Sequence, residues 1–222
     1  FLFSDSKSKE WNIEESYFKP VIAKSNFCKF IDFTKEDFNN LTLQNKPNHL
    51  LYCFSEPSNN LKKFIENGKK QELHKRYLTS KRTPWYSMEK REKAPIWAGV
   101  FSRDGVKFIL NKTDCLNLTT FHAIYPNFVE EDKLLFLVAF LNSDHCKELI
   151  KREMRSYGGG LNKFEPKDLE NIPVPDINKV SQQKISEIAS LFDDYLIKLR
   201  SKQDSSIHKV KLENEFEKIL NA

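Results

Sequence analysis

Residues 94–110 have the sequence APIWAGVFSRDGVKFIL, and this stretch decides the predicted fold class. The segment 94–101 is rich in residues that favour strands, and Asp104-Gly105 is a strong signal for a two-residue turn between antiparallel strands. Val106 to Leu110 then supplies the returning strand. We therefore predict a central β-hairpin over about residues 94–110.

Further strands and helices are predicted on both sides of this hairpin. Alternating side chains predict a strand over 118–125, and a compact apolar run predicts one over 50–54. Gly68 is expected to end the helix that follows Pro57 with a left-handed cap. Helices are predicted over 34–41, 57–68, 71–78, 132–141, 142–155, 181–200 and 207–220. The expected fold class is α+β, with mixed strands, packed helices and a long C-terminal amphipathic helix.

The composition is that of a globular protein. Of the 222 residues, 39% are hydrophobic and 30% are charged, which is unlike a disordered chain. The longest apolar run, Leu134 to Leu141, is much shorter than the roughly 20 residues that cross a bilayer. The chain opens at Phe1 with a Ser- and Lys-rich run and no signal peptide. We therefore expect a cytoplasmic protein that does not enter a membrane. We also expect residues 1–10 to be a linker and the chain to be a fragment of a larger protein.

Residues that could bind a metal or act in catalysis do not cluster in the sequence. The four cysteines are widely spaced without a Cys-x-x-Cys pair, and the five histidines show no ligand spacing. The sequence also lacks the GxGxxG, GxxxxGK[ST], HExxH and GxSxG motifs. We therefore predict reduced thiols, no metal, and no catalytic residue in this chain.

The positive charge is concentrated in one segment. The chain has a net charge of +5, and residues 69–93, which we call the basic segment, contain nine Lys or Arg against three Asp or Glu. Such a concentration is typical of a surface that binds a polyanion, although a charged run is also common on a simple solvated face.

Three stretches resemble known families. The sequence KRTPWYSMEKREKAPIWAGVFSR at 81–103, followed by FILN at 108–111, resembles the C-terminal recognition domain of TaqI-like DNA adenine methyltransferases. FLNS at 140–143, followed by SYGGGLNKFEPKDLENIPVP at 156–175, resembles the closing motif of the same family. QQKISEIASLFDDYLIKLR at 182–200 resembles the helix that follows the recognition domain in type I restriction specificity subunits.

The resemblance implies a DNA target-recognition domain over residues 11–175, with a C-terminal helical segment at 176–222 packing on it. In the parent enzyme this domain would follow a Rossmann-like methyltransferase domain that binds S-adenosylmethionine and methylates an adenine flipped out of the duplex. That domain would carry an Asn-Pro-Pro-Tyr motif, and this chain has no Asn-Pro dipeptide. The implied partners are double-stranded DNA and the N-terminal methyltransferase domain of the same bacterial protein, with no cofactor in this chain.

Candidate DNA contacts follow from residue type. Lysines suit phosphates, whereas the planar fork of Arg82 suits the edge of a guanine, with a brace to Glu89 or Glu92 as the alternative. Trp85 could stack on DNA or belong to the core. The expected contacts are Lys70, Lys75, Lys81, Arg82, Trp85, Tyr86, Lys90, Arg91 and Arg103, with a second group of Tyr157, Gly158, Gly159 and Lys163. The second group could instead be a simple helix-ending turn.

Two other interpretations stay open. The first is a half-length type I specificity subunit, which binds DNA without being an enzyme and recruits separate methylation subunits through its long helix. Such a subunit would open with its own Met, so the opening at Phe1 favours the recognition domain of a methyltransferase instead. The second is a structural or RNA-binding module, which would bind single-stranded RNA and duplex DNA equally.

Overall fold

The computed structural model describes residues 1–102, 105–153, 155–157 and 161–221. The strands are β1 (Leu2–Phe3), β2 (Phe18–Ile22), β3 (Asp32–Phe33), β4 (His49–Leu51), β5 (Ile96–Gly99), β6 (Phe101–Ser102), β7 (Phe108–Asn111), β8 (Leu116–Asn117), β9 (Phe121–Ile124), β10 (Arg155–Tyr157) and β11 (Leu161–Lys163). The helices are α1 (Asp5–Glu10), α2 (Lys35–Leu43), α3 (Asn59–Lys70), α4 (Glu131–Leu141), α5 (Asp144–Glu153), α6 (Pro166–Glu170), α7 (Gln182–Arg200) and α8 (Ser206–Leu220).

The chain divides into two compact units. The first unit comprises Phe1–Ala23, Lys35–Lys93 and Asp114–Leu116, and the second comprises Lys24–Thr34, Ala94–Thr113 and Asn117–Ala222. Strands and helices are mixed in both, which confirms the predicted α+β class.

The first unit is built on a small sheet in which β4 lies between β1 and β2, antiparallel to both. Its helix α3 begins where the Ser58 hydroxyl accepts a hydrogen bond from the Leu61 amide at 3.3 Å, a side-chain cap that satisfies one of the free amides of the first turn. α3 buries Leu61 and Ile65 against Phe3 and Leu51. Aromatic side chains surround this small core, namely Trp11, Phe64, Trp85 and Tyr86.

The second unit contains the predicted hairpin. β5 pairs with β7 in the register Ile96 to Leu110, and the sheet order is β3-β7-β5-β9, with β3 parallel to β7 and the other pairs antiparallel. A second sheet has the order β10-β11-β6 and is antiparallel throughout. The apolar run of α4 is buried on nearly every side because β7 and the helices α5, α7 and α8 share its core.

One ion pair joins the long helix α7 to strand β3. The Arg200 guanidinium donates from Nε to both carboxylate oxygens of Asp32, at 2.9 and 3.0 Å, and its Nη2 lies 2.8 Å from Oδ1. The Asp32 side chain is only 2% exposed, whereas that of Arg200 is 23% exposed. Arg200 also lies over the Phe30 ring, at 4.8 Å from its centroid. This guanidinium is therefore the main compensation for a buried carboxylate.

Several local predictions need correction. β5 and β7 pair from Ile96 with Leu110 to Ala98 with Phe108, whereas Phe101 and Ser102 leave the hairpin and pair with Lys163 and Asn162 of β11. The predicted two-residue turn at Asp104-Gly105 includes Asp104, which lies outside the described residues. Only a 3₁₀ turn at Leu73–Lys75 occupies the helix predicted over 71–78, and Glu72 before it has a φ of +57°.

The domain limits also differ from those expected. Residues 1–10 contain β1 and α1 instead of a linker. Phe3 is fully buried, and the centroid of its ring lies 5.0 Å from the ring centroids of Phe18 and Phe64. The helical segment at 176–222 is part of the second unit, and α7 and α8 share one core with α4. The assignment of 11–175 to DNA recognition stays a prediction.

All four cysteines, which are Cys28, Cys53, Cys115 and Cys146, are buried thiols outside any disulfide. Burial raises the pKa of the Cys146 thiol to about 12 and also raises that of Cys53. Because the thiolate is the reactive form, we expect the folded chain to react slowly with a thiol reagent at pH 8, and all four thiols to react after unfolding in urea. Rapid stoichiometric labelling of Cys146 in the folded chain would contradict this burial.

None of the helices in the described part of the chain is both long and apolar enough to cross a bilayer.

Candidate functional site

The basic segment lies entirely in the first unit and begins in the last turn of α3. Gln71 caps that helix, and the chain then passes through the left-handed Glu72 into the 3₁₀ turn at Leu73–Lys75. From Arg76 to Lys93 the described backbone has no further helix or strand. Its side chains are therefore positioned by turns and by packing.

Trp85 anchors the basic segment to α3. Its ring lies against Gly68 inside that helix, so closely that a Cβ on Gly68 would be 2.7 Å from the Trp85 Cη2 atom. The ring centroids of His74 and Tyr86 both lie 6.1 Å from that of Trp85. Gly68 therefore allows a close approach within α3, and the prediction that it ends the helix with a left-handed cap is wrong. The half-buried Trp85 belongs to the core cluster, as the alternative interpretation expected.

Residues 76–82 form a hydrogen-bonded turn that projects from this anchor. The Ser80 amide donates to the Arg76 carbonyl at 2.8 Å, and the Arg82 amide donates to the Thr79 carbonyl at 3.1 Å. The Thr79 hydroxyl also donates to the carbonyls of Leu73 and Arg76. The backbone of this turn is thus held by internal hydrogen bonds. Five of its side chains are exposed, namely Arg76, Tyr77, Leu78, Ser80 and Lys81.

Five of the cations of the basic segment are paired with carboxylates. Arg82 and Arg91 share Glu89, with Nη2–Oε distances of 3.4 and 2.5 Å. The Arg91 hydrogen bond is the main cause of the lowered pKa of the Glu89 carboxyl. Arg82 also donates to the Met88 sulfur at 3.3 Å. The other pairs are Lys69 with Glu66, Lys75 with Glu72, and Lys93 with Asp114.

Four other cations of the segment are exposed and have no carboxylate within 4.0 Å among the residues that the structure describes. These are Lys70, Arg76, Lys81 and Lys90. Lys81 instead holds its Nζ 5.8 Å from the centroid of the Tyr77 ring. The cations of the basic segment that have no carboxylate partner therefore lie within the 76–82 turn and on both sides of it.

The structure sorts the predicted contacts by environment. Lys70, Lys81 and Lys90 are available to an anion, whereas Lys75, Arg82 and Arg91 are braced by carboxylates. The Arg82 contact with Glu89 is the arrangement expected if Arg82 supports the loop. Tyr86 is half-buried beside Trp85, and burial raises the pKa of its hydroxyl. Arg76, Tyr77 and Leu78 were not among the predicted contacts, and all three are exposed in the 76–82 turn.

The second predicted group lies in the second unit. Tyr157 is on β10, where its backbone pairs with Leu161 of β11. Lys163 forms an ion pair with Glu165 at 2.5 Å and lies 6.0 Å from the centroid of the exposed Phe101 ring. Arg103, Gly158 and Gly159 lie outside the described residues.

Residues 1–210 match the family described as Type II methyltransferase M.Eco57I, C-terminal domain. The chain belongs to this family. The matched range includes the first compact unit and all of the second except residues 211–222. Residues 1–10 are within the match and so are part of the family's domain.

Individual relatives agree with the M.Eco57I C-terminal family. The chain is 39% identical over 214 residues to the type II methyltransferase M.AccI of Acinetobacter calcoaceticus, covering 95% of this chain and 40% of that protein. It is 28% identical over 126 residues to the type II methyltransferase M.XamI of Xanthomonas campestris pv. amaranthicola, covering 56% of this chain and 23% of that protein. The chain thus spans less than half the length of these relatives.

A solved structure shares the fold. The type IIG restriction endonuclease BpuSI superposes with a TM-score of 0.53 at 13% identity, over 96% of this chain and 28% of that one. At this identity the similarity concerns the fold alone.

Proposed function

We propose that this chain is the DNA target-recognition domain of a restriction-modification methyltransferase, and that the basic segment binds the backbone of duplex DNA. The observation that carries the proposal is the group of exposed cations without carboxylate partners on a segment that Trp85 holds to α3. Free cations release counterions from DNA when they bind phosphates, whereas cations already paired contribute less. The type II methyltransferase relatives support DNA as the polyanion.

The parent protein, in this proposal, methylates the exocyclic N6 of an adenine. S-adenosylmethionine and the methylation site belong to an N-terminal domain, and this chain selects the sequence. The resemblance of residues 81–103 to TaqI-like enzymes supports adenine as the base. Membership in a type II family favours this proposal over a half-length type I specificity subunit.

Residue roles follow from the pairing pattern. Lys70, Arg76, Lys81 and Lys90 contact phosphates, and Lys75 contributes little because Glu72 already neutralises it. Arg82 and Arg91 shape the loop through Glu89, and Trp85 and Tyr86 hold that loop to α3. In the second unit Lys163 and Tyr157, with Arg103, Gly158 and Gly159, remain candidates for a second contact.

A matched pair of lysine variants tests the phosphate contacts. Lys81→Ala should weaken binding to all duplex sequences about equally and reduce the slope of log affinity against log salt by roughly one unit. Lys75→Ala is the control, and it should change the slope by less because its charge is already paired with Glu72. Fluorescence anisotropy with a labelled duplex at several salt concentrations between about 50 and 200 mM measures both slopes.

Two results would count against the proposal. Equal slopes for Lys81→Ala and the unmodified chain would remove Lys81 from the interface. Equal affinity for single-stranded RNA and duplex DNA would favour the alternative of a general RNA-binding module, because a recognition domain for duplex DNA prefers the B-form grooves.

A further inference from the structure

The turn at 76–82 exposes two large side chains that the phosphate contacts do not explain. Tyr77 is 77% exposed and Leu78 is 68% exposed, and they are adjacent in sequence. Single exposed hydrophobic residues are common, but two neighbouring large ones cost solvation free energy unless a partner covers them.

The charges around these two side chains select the kind of partner. Arg76 precedes them and Lys81 follows them, and neither has a carboxylate partner among the described residues. Val129 is a useful contrast, since it is 86% exposed but is followed by Glu130 and Glu131. Tyr77 and Leu78, flanked by two cations, match a ligand in which weakly polar groups lie between phosphates. Duplex DNA is such a ligand, because its stacked bases lie between two phosphate backbones.

Hydrogen bonds within the turn also fix the backbone that carries Tyr77 and Leu78. The Ser80 hydroxyl donates to the Tyr77 carbonyl at 3.0 Å, and the Ser80 amide donates to the Arg76 carbonyl at 2.8 Å. The Lys81 ammonium lies 5.8 Å from the centroid of the Tyr77 ring, within reach of a cation–π contact. Ordering this backbone before binding lowers the entropy lost when the side chains meet a ligand.

We propose that Tyr77 and Leu78 form a wedge that packs against, or enters between, neighbouring base pairs of duplex DNA. Arg76 and Lys81 fix the phosphates on either side. Apolar side chains inserted at a base step unstack it and bend the duplex, and such contacts add affinity without adding charge neutralisation. This inference rests on the proposed function, because it takes duplex DNA as the ligand of the basic segment.

The test compares Tyr77→Ala, Leu78→Ala and the double variant with Leu43→Ala in the 222-residue chain. Leu43 lies in α2 of the same unit and is 84% exposed, so it is a matched change outside the turn. The double variant should bind a duplex about 10-fold more weakly at every salt concentration, with an unchanged salt slope. Leu43→Ala should bind as the unmodified chain does, and Tyr77→Phe should retain most of the affinity.

A second measurement detects insertion directly. A duplex with one mismatched base pair unstacks at lower cost, so the unmodified chain should prefer it to the matched duplex, and the double variant should lose that preference. The fluorescence of 2-aminopurine placed at the base step that the wedge enters should rise when the unmodified chain binds, and it should not rise when the double variant binds. Thermal unfolding should be unchanged in the double variant, because both side chains are exposed.

The outcomes separate the two proposals. If the unmodified chain binds duplex DNA with a steep salt slope but the double variant binds equally well, the wedge is wrong and the phosphate contacts stand. If the unmodified chain does not bind DNA, both proposals fail. If the double variant loses only its association with the methyltransferase part of the parent protein, the two side chains cover a protein surface and the wedge is again wrong.

Discussion

Replacing Arg200 with Met is expected to lower the free energy of unfolding of the second unit by about 3–5 kcal/mol. The Asp32 carboxylate is 2% exposed, and Arg200 donates to both of its oxygens. Without the guanidinium the carboxylate stays buried with its charge largely uncompensated, which costs far more than losing an exposed ion pair. Urea unfolding followed by tryptophan fluorescence measures the change.

A second ion pair of α7 provides a matched control. Lys112, just after β7, pairs with Asp193 at 3.0 Å, and their side chains are 32% and 45% exposed. Lys112→Met should cost less than about 1 kcal/mol, because solvent screens this pair. The double variant Asp32→Asn, Arg200→Met should recover part of the loss. If the two Met variants lower the free energy of unfolding equally, the burial of Asp32 does not determine how much its ion pair contributes to stability.

Sequence reasoning located the elements whose causes are local. The helix predicted over 181–200 is α7, because its apolar period and the Ser181 hydroxyl, which accepts from the Lys184 amide at 3.3 Å, both lie within one segment. The hairpin over 94–110 was predicted from neighbouring residues in the same way.

The errors have long-range causes. The hairpin strand expected over 94–101 ends early, because Phe101 belongs to β6, whose partner β11 lies about sixty residues away in sequence. The predicted linker at 1–10 is folded because Phe3 meets Phe64. Neither partner is visible in a local pattern, since each depends on which distant segment comes into contact.

The candidate site shows the same limit. The excess of positive charge at 69–93 was evident from the sequence, but which cations Glu72 and Glu89 neutralise depends on the folded turns. The exposure of Tyr77 and Leu78 was hidden by the helix predicted over 71–78. A sequence gives the charge of a surface, whereas pairing and exposure come from tertiary structure.

Gly68→Ala is expected to change stability in opposite directions in two backgrounds. In an exposed helix interior Ala is favoured over Gly by about 1 kcal/mol. Here the new Cβ would lie 2.7 Å from the Trp85 ring, which is held by the surrounding aromatic side chains and cannot simply rotate away. In the unmodified chain we therefore expect Gly68→Ala to destabilise the first unit by about 1–3 kcal/mol, the usual cost of overpacking.

Removing the ring should reverse that sign. Trp85→Ala by itself should cost about 3 kcal/mol, at the low end for a tryptophan because the side chain is only half-buried. With the ring gone, Gly68→Ala restores helix propensity without a steric conflict and should stabilise the Trp85→Ala protein. The free energies of unfolding of the two single variants and the double variant give the coupling between the sites. If Gly68→Ala has the same sign in both backgrounds, Trp85 does not anchor the basic segment through Gly68.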